Sequence, residues 1–296
     1  AKPEILATGI PLQFSQQDDA GGFPPGTLVR QGDALVFNPG PALEGLHLFG
    51  ATSRATSRFG LFLFVATLAG IGGHGLVRHI VWRSKRSGEA RDHARRVMMY
   101  SPHKRFWHWM LAMGMIAMIL SGIRIRFETF LPSVSFETAV FIHNLTAFLL
   151  LLHVAVSVLF HFFSGDYRQF LPNLKRLPRD VMMQARYYAY GIFTGESNPF
   201  RKTPTQRMNP MQQLAYLGLL LGLLPVQVGT GLLIYFTGHH PELTNRIGGL
   251  VYLAPLHDLV SWLILSFLIV HLYLITTGAK VTSHMKAMVT GLEEEH

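Results

Sequence analysis

Long apolar runs alternate with polar, mostly basic stretches along the chain. A helix rises about 1.5 Å per residue and the hydrocarbon core of a bilayer is about 30 Å thick, so roughly 20 apolar residues are needed to cross it. Five segments of the 296-residue sequence meet that length: about Phe59–Val77, Phe106–Ile123, Thr138–Ser164, Met211–Phe236 and Gly249–Gly278. The third and fourth contain no Asp, Glu, Lys or Arg, and the fifth contains one acid, Asp258. Backbone N–H and C=O groups in lipid must be bonded within their own segment, so all five read as helices. Pro225 and Pro255 fall inside spans four and five and are expected to kink them. The pattern predicts an all-α integral membrane protein of five spans.

An odd number of spans puts the termini on opposite sides. Seven of the 26 Lys and Arg residues lie on the N-terminal side, and nineteen lie in the loops after spans one and three and at the C-terminus. The positive-inside rule makes the second side cytoplasmic. Residues 1–58 are then periplasmic, in a bacterial inner membrane. Their export implies a removed signal peptide, because the sequence begins with Ala1. This outer segment is rich in Gly and Pro and reads as irregular. A short strand pair is expected near Thr27–Arg30 and Ala34–Phe37, pinned against a partner. The remaining organisation is an extra span at 59–81, a basic loop at 82–104, a four-helix bundle at 105–291 and a tail at 292–296. Within the bundle, the loop 165–210 includes a mixed basic and aromatic stretch, Leu171–Tyr190, that reads as a helix lying in the membrane interface.

Composition narrows the chemistry. Hydrophobic residues make up 49% and charged residues 15%, well below the roughly 25% charge of soluble domains. The net charge of +9 is the cytoplasmic excess and not a nucleic-acid footprint. Cysteine is absent, which excludes disulfides, iron–sulfur ligation and c-type haem attachment. Histidine, with 15 copies, is the unusual supply of ligands.

Histidine inside a span is a functional candidate by default. His257 and His271 are 14 residues apart on span five, within about 40° of one face and about 21 Å apart along the axis. That separation suits two haems, one near each leaflet. Span direction puts His108 at the depth of His271, and His143 at the depth of His257. Two bis-histidine sites follow, and neutral imidazole is an established haem ligand. His161 shares the face of His143, five turns on, and is the competing ligand. His153 lies about 80° off that face, and His74 and His79 lie at the end of span one. Gly122 and Gly231 would let a porphyrin approach the backbone. Lys104, Arg105, Arg124 and Arg126 stand at span ends, where they could meet propionates or headgroups. Asp258 could orient His257 or pair with Arg124 or Arg126.

The stretch Lys104-Arg105-Phe106-Trp107-His108-Trp109 to Ser121-Gly122 resembles the opening helix of respiratory di-haem cytochromes b. This is the family of the formate dehydrogenase gamma subunit, with relatives in thiosulfate reductase and nickel–iron hydrogenase. Ile142-His143-Asn144 is similar to its second helix, and Met208-Asn209-Pro210-Met211-Gln212-Gln213 with Thr230-Gly231 to its third. Leu256-His257 and Val270-His271-Leu272-Tyr273 resemble its fourth. The likeness covers about residues 100–291. It implies ligation of two b haems by His108 with His271 and His143 with His257. It also implies a cytoplasmic site for menaquinone or ubiquinone that includes Asn209 and Gln212. The implied partners are extracytoplasmic iron–sulfur and molybdenum-type catalytic subunits, or a multihaem cytochrome c, so the substrate chemistry would lie in other chains. A haem-free proton channel or transporter lined by histidine, and a passive membrane anchor, are the alternatives.

Overall fold

The computed structural model describes residues 27–31, 34–38, 51–85, 96–127, 129–200, 202–204, 206–237, 250–278 and 281–294. The Gly- and Pro-rich outer stretches, residues 86–95 of the basic loop and the last two residues lie outside them. Two strands come first, β1 (Thr27–Gln31) and β2 (Ala34–Asn38), paired antiparallel with Thr27 opposite Asn38. Among the described residues, five helices are long and apolar enough to cross a membrane. They are α1 (Ala51–Lys85), α2 (Pro102–Arg126), α3 (Phe136–Ser164), α5 (Pro210–Phe236) and α6 (Leu250–Leu274). The chain is a multi-pass membrane protein. α1 exceeds the expected apolar run at both ends, because a helix that bonds its own backbone continues into polar flanks.

The two prolines behave differently. Pro225 has no N–H, and its ring crowds the carbonyl four residues earlier. α5 answers with a π-helical turn at Leu219–Leu223, directly before the proline. Pro255 sits near the start of α6, which stays α-helical from Leu250 to Leu274.

Cα packing divides the chain into two compact units. One consists of Ala1–Phe64, Met115–Leu149 and Leu223–Leu265. Its core is small: Ala139, Leu253, Val260 and Ile264 are buried. Here α1 approaches α6 so closely that a Cβ on Gly60 would lie 2.3 Å from the Trp262 ring, so only glycine fits. Ser57 of α1 donates to the Asp258 carboxylate at 2.5 Å and accepts from Arg126 at 2.9 Å.

The other unit consists of Val65–Gly114, Leu150–Gly222 and Ser266–His296. It contains the loop after α3. This begins at Gly165 in the left-handed region and forms a 3-10 turn at Asp166–Phe170. α4 (Leu177–Arg186) follows, continued by a π turn at Tyr187–Gly191 and a last turn at Ile192–Thr194. α4 starts later than expected, with Pro178 in its first turn, where a missing N–H is harmless. Leu174 and Met182 beside its basic residues are 77% and 70% exposed, which suits an interfacial position.

The basic loop at 82–104 and the tail at 292–296 meet in a small sheet. β3 (Arg96–Met98) pairs antiparallel with β4 (Leu292–Glu294), after the short helix α7 (Ser283–Thr290). Gly291 makes the turn at φ +87°, and its carbonyl accepts from Met99 and Tyr100. Glu293 is buried there. It accepts from His284 at 2.7 Å and pairs with Lys202 at 3.5 Å. Burial pushes its carboxyl up, but the His284 hydrogen bond and the Lys202 charge outweigh that and hold it below the usual range.

Candidate functional site

In the first unit, α3 contributes His143 and α6 contributes His257. Their ring centroids are 6.4 Å apart. Ser121 Oγ donates its one proton to the Ala117 carbonyl at 2.6 Å, so toward His143 Nδ1, 3.0 Å away, it can only accept. Nδ1 therefore carries the ring proton and Nε2 keeps its lone pair. Thr230 repeats this at the other ring. Its hydroxyl donates to Val226 O at 2.7 Å and accepts from His257 Nδ1 at 2.9 Å. The Gln227 amide lies 3.0 Å from His257 Nε2. Each hydroxyl is followed by a glycine that faces the ring it orients. A Cβ on Gly122 would lie 3.4 Å from His143 Cε1, and one on Gly231 3.2 Å from His257 Cε1.

In the second unit, α2 contributes His108 and α6 contributes His271, again with centroids 6.4 Å apart. The Tyr216 hydroxyl, on α5, is 3.4 Å from His271 Nδ1, a long contact. His108 Nδ1 is buried with no hydrogen-bond partner.

Both separations fit one metal held between two rings. An imidazole nitrogen binds a transition metal at about 2.0–2.1 Å and the ring adds roughly 1 Å from nitrogen to centroid, so two rings across one metal stand about 6 Å apart. Among the described residues no group of three or more His, Asp or Glu could hold a metal ion. Two facing imidazoles without further protein ligands suit a metal whose other positions are filled by a macrocycle, as in haem.

The family profile described as prokaryotic cytochrome b561 matches residues 99–291, which include all four histidines. The chain belongs to that family. It is therefore a membrane b-type cytochrome of electron transfer, and the family implies b-type haem. A protein of Escherichia coli (strain K12) called "Putative cytochrome YdhU" is 31% identical over 204 residues, 68% of this chain and 76% of that protein. No solved structure matches the chain.

Four further histidines singled out by the sequence stand apart from both pairs. His161 Nδ1 bonds the Ser157 carbonyl at 2.7 Å, and its ring lies against Phe170. His153 packs on Trp107 with centroids 4.7 Å apart. His79 is exposed. His74 bonds Tyr273 and the Tyr188 carbonyl.

The basic residues divide. Lys104 pairs with Asp166 at 2.7 Å. Burial pushes the Asp166 carboxyl up, but the Lys104 hydrogen bond and charge, together with the Arg207 and His161 charges, hold it below the usual range. Arg105 bonds the Val289 carbonyl. Arg126 serves Ser57, so it meets Asp258 through that hydroxyl. Arg124 is buried, donates to Val134 O at 2.7 Å, and keeps Nη1 without a partner. Of the four it is the one with an unspent buried donor in the unit of His143 and His257, where a propionate would need one.

Asn209 and Gln212 form a capping box at the start of α5. Asn209 Oδ1 accepts from Gln212 N at 2.9 Å, and Gln212 Oε1 accepts from Asn209 N at 3.1 Å. Asn209 Nδ2 also donates to the Tyr188 hydroxyl at 3.0 Å.

Sequence reasoning missed the orienting roles of Ser121, Thr230, Gln227 and Tyr216. The signal for the first two was present: a hydroxyl before each glycine on two different spans.

Proposed function

We propose that this cytochrome binds two b haems, one between His143 and His257 and one between His108 and His271. In this reading it is the membrane subunit of a respiratory oxidoreductase complex. The observation that carries it is the duplicated pair. Two sets of facing imidazoles share one centroid separation, 6.4 Å, and both draw a ring from α6. When bound, haem supplies one-electron redox chemistry. The chain's residues hold it: the imidazoles ligate, Ser121 and Thr230 fix ring orientation, and Arg124 offers charge to a propionate.

The distribution of Lys and Arg supports a bacterial inner-membrane orientation with the N-terminus outside. The redox partner would then meet the haem of His143 and His257 from the periplasm. It would be an iron–sulfur subunit with a molybdenum-type enzyme, or a multihaem cytochrome c. Menaquinone or ubiquinone would react on the cytoplasmic side. Asn209 caps the helix that carries Tyr216 to His271, and with Gln212 it would supply amide groups for hydrogen bonds to quinone carbonyls.

Reduced-minus-oxidised spectra and haem content of the purified protein test this. Two b haems per chain are expected, with reoxidation by added quinone. A protein without a b-type band would instead support a histidine-lined channel.

A further inference from the structure

The loop after α3 leaves the spans at Gly165 and returns to them at Asn209, the cap of α5, so both of its ends stand at the membrane surface. Between them the second unit forms an open cleft of about 610 Å³. Its walls are the 3-10 turn with Gly165, Arg168 and Gln169, the start of α4 with Leu177 and Asp180, and the start of α5 with Gln213. Gln213 is buried and ties two of these walls together. Its Nε2 donates to the carbonyls of Gln169 at 2.8 Å and Leu171 at 3.3 Å. Both protons of that amide are spent, so the fold itself fixes this side of the cleft.

The charges around the cleft do not balance. Asp166 is answered by Lys104 and Arg207, and Arg186 by Glu196. Arg168, Lys175, Arg176 and Arg179 have no ion pair among the described residues, and neither has Asp180. Four unanswered cations thus stand against one unanswered acid. All four cations are exposed. Large apolar side chains are exposed among them: Leu171 in the cleft wall, Leu174 beside Lys175, and Phe163 in the last turn of α3. In a membrane interface such a surface divides by depth, with the apolar groups toward the acyl chains and the basic heads at the phosphates.

We propose that this cleft binds the headgroup of an anionic phospholipid, with a phosphate at Arg168 and with Lys175, Arg176 and Arg179 as a basic rim that draws anionic lipid to α4. Depth favours a lipid over a soluble anion. Arg168 stands four residues past Ser164, the end of a span, and Leu171 and Leu174 offer apolar surface to acyl chains. Asp180 sharpens the choice. A carboxylate repels a bare phosphate but accepts hydrogen bonds from hydroxyls. The cleft therefore favours a headgroup that carries hydroxyls beside its phosphate, as phosphatidylglycerol does. The Gln213 wall belongs to α5, which also carries Tyr216 to His271, so the lipid lies against the helix behind the second imidazole pair.

Native mass spectrometry of the full-length, haem-loaded protein tests this, by titration with phosphatidylglycerol, phosphatidylethanolamine or phosphatidylcholine. Haem absorbance checks that each variant is folded. The wild type should bind phosphatidylglycerol about 10-fold more tightly than either zwitterionic lipid. Each cation at a charged membrane surface is worth about fivefold in affinity, so Arg168→Gln should cost about that much. Replacing Arg168, Arg176 and Arg179 together by Gln should cost about 100-fold. Arg168→Lys keeps the charge, and Lys286→Gln removes an exposed cation outside the cleft, so each should stay within about twofold of wild type. Equal binding of the three lipids by the wild type would overturn the proposal, as would a preference for phosphatidylethanolamine, whose ammonium would then sit on Asp180. Arg168→Gln losing no more affinity than Lys286→Gln would also overturn it. So would displacement of bound phosphatidylglycerol by inorganic phosphate, because the site would then read a soluble anion.

Discussion

The two imidazole pairs share a separation and differ in what stands behind the rings. His143 and His257 are each backed by a hydroxyl whose own proton is spent on a helix carbonyl, so both tautomers are fixed. His108 has a buried Nδ1 with no partner, and His271 has only the long contact to Tyr216. The first pair has both rings oriented, with the Gln227 amide meeting His257 Nε2. The second has freedom in its rings and lies in the unit that also contains the polar cluster of His74, Tyr188 and Asn209. A ring fixed by a hydrogen bond is a more basic and better oriented ligand. The first pair should therefore bind its haem more tightly, and the second should respond more to its surroundings.

Removing a ligand gives the largest effect. His257→Ala should abolish one haem and leave the other, read as half the b-type absorbance and half the extracted haem. His271→Ala should do the same for the other haem. If either replacement removes both haems, the two pairs are not independent.

Crowding comes next. Gly231→Leu puts a side chain where a Cβ alone is already 3.2 Å from His257, and overpacking of this kind costs about 1–3 kcal/mol. Absorbance of the first pair's haem should fall, with that of the second pair unchanged.

Smaller effects should follow loss of the orienting hydroxyls. Ser121→Ala and Thr230→Ala should weaken haem binding by about 10-fold each, measured by haem transfer to an apo-acceptor. Tyr216→Phe should do less at the second pair. An equal loss from Tyr216→Phe would erase the contrast between the pairs.

The smallest effect is one of pH, far from either pair. Glu293 is held below its ordinary range, so its stabilisation is full above that range and is lost as pH falls through the folded value. Amide exchange across β3 and β4 should accelerate on acidification, relative to exchange in α3, and Glu293→Gln should remove the dependence.

Much of this was legible in the sequence. Five apolar runs define the spans because lipid forbids any other way of satisfying the backbone. Span direction matched His108 to His271 and His143 to His257, and the ring centroids lie 6.4 Å apart in each of those pairs. The strand pair near Thr27 could be read from turn residues between short β-prone runs. What the sequence could not show depends on pairing between distant segments. β3 and β4 join residues almost two hundred positions apart, and neither is apolar enough to announce itself. Ser121 and Thr230 read as ordinary small residues until the rings stand beside them. Lys104 looked available to a propionate, but Asp166 claims it through a turn set by the left-handed Gly165. Asn209 and Gln212 read as quinone contacts, and they are also the cap of α5.

The most direct test is haem content of the wild type, His143→Ala, His108→Ala and the double variant, by extraction and by spectrum from the same preparations. Two haems, one, one and none are expected, with distinct spectra for the two single variants. Full haem content in the double variant would contradict the assignment of these four histidines.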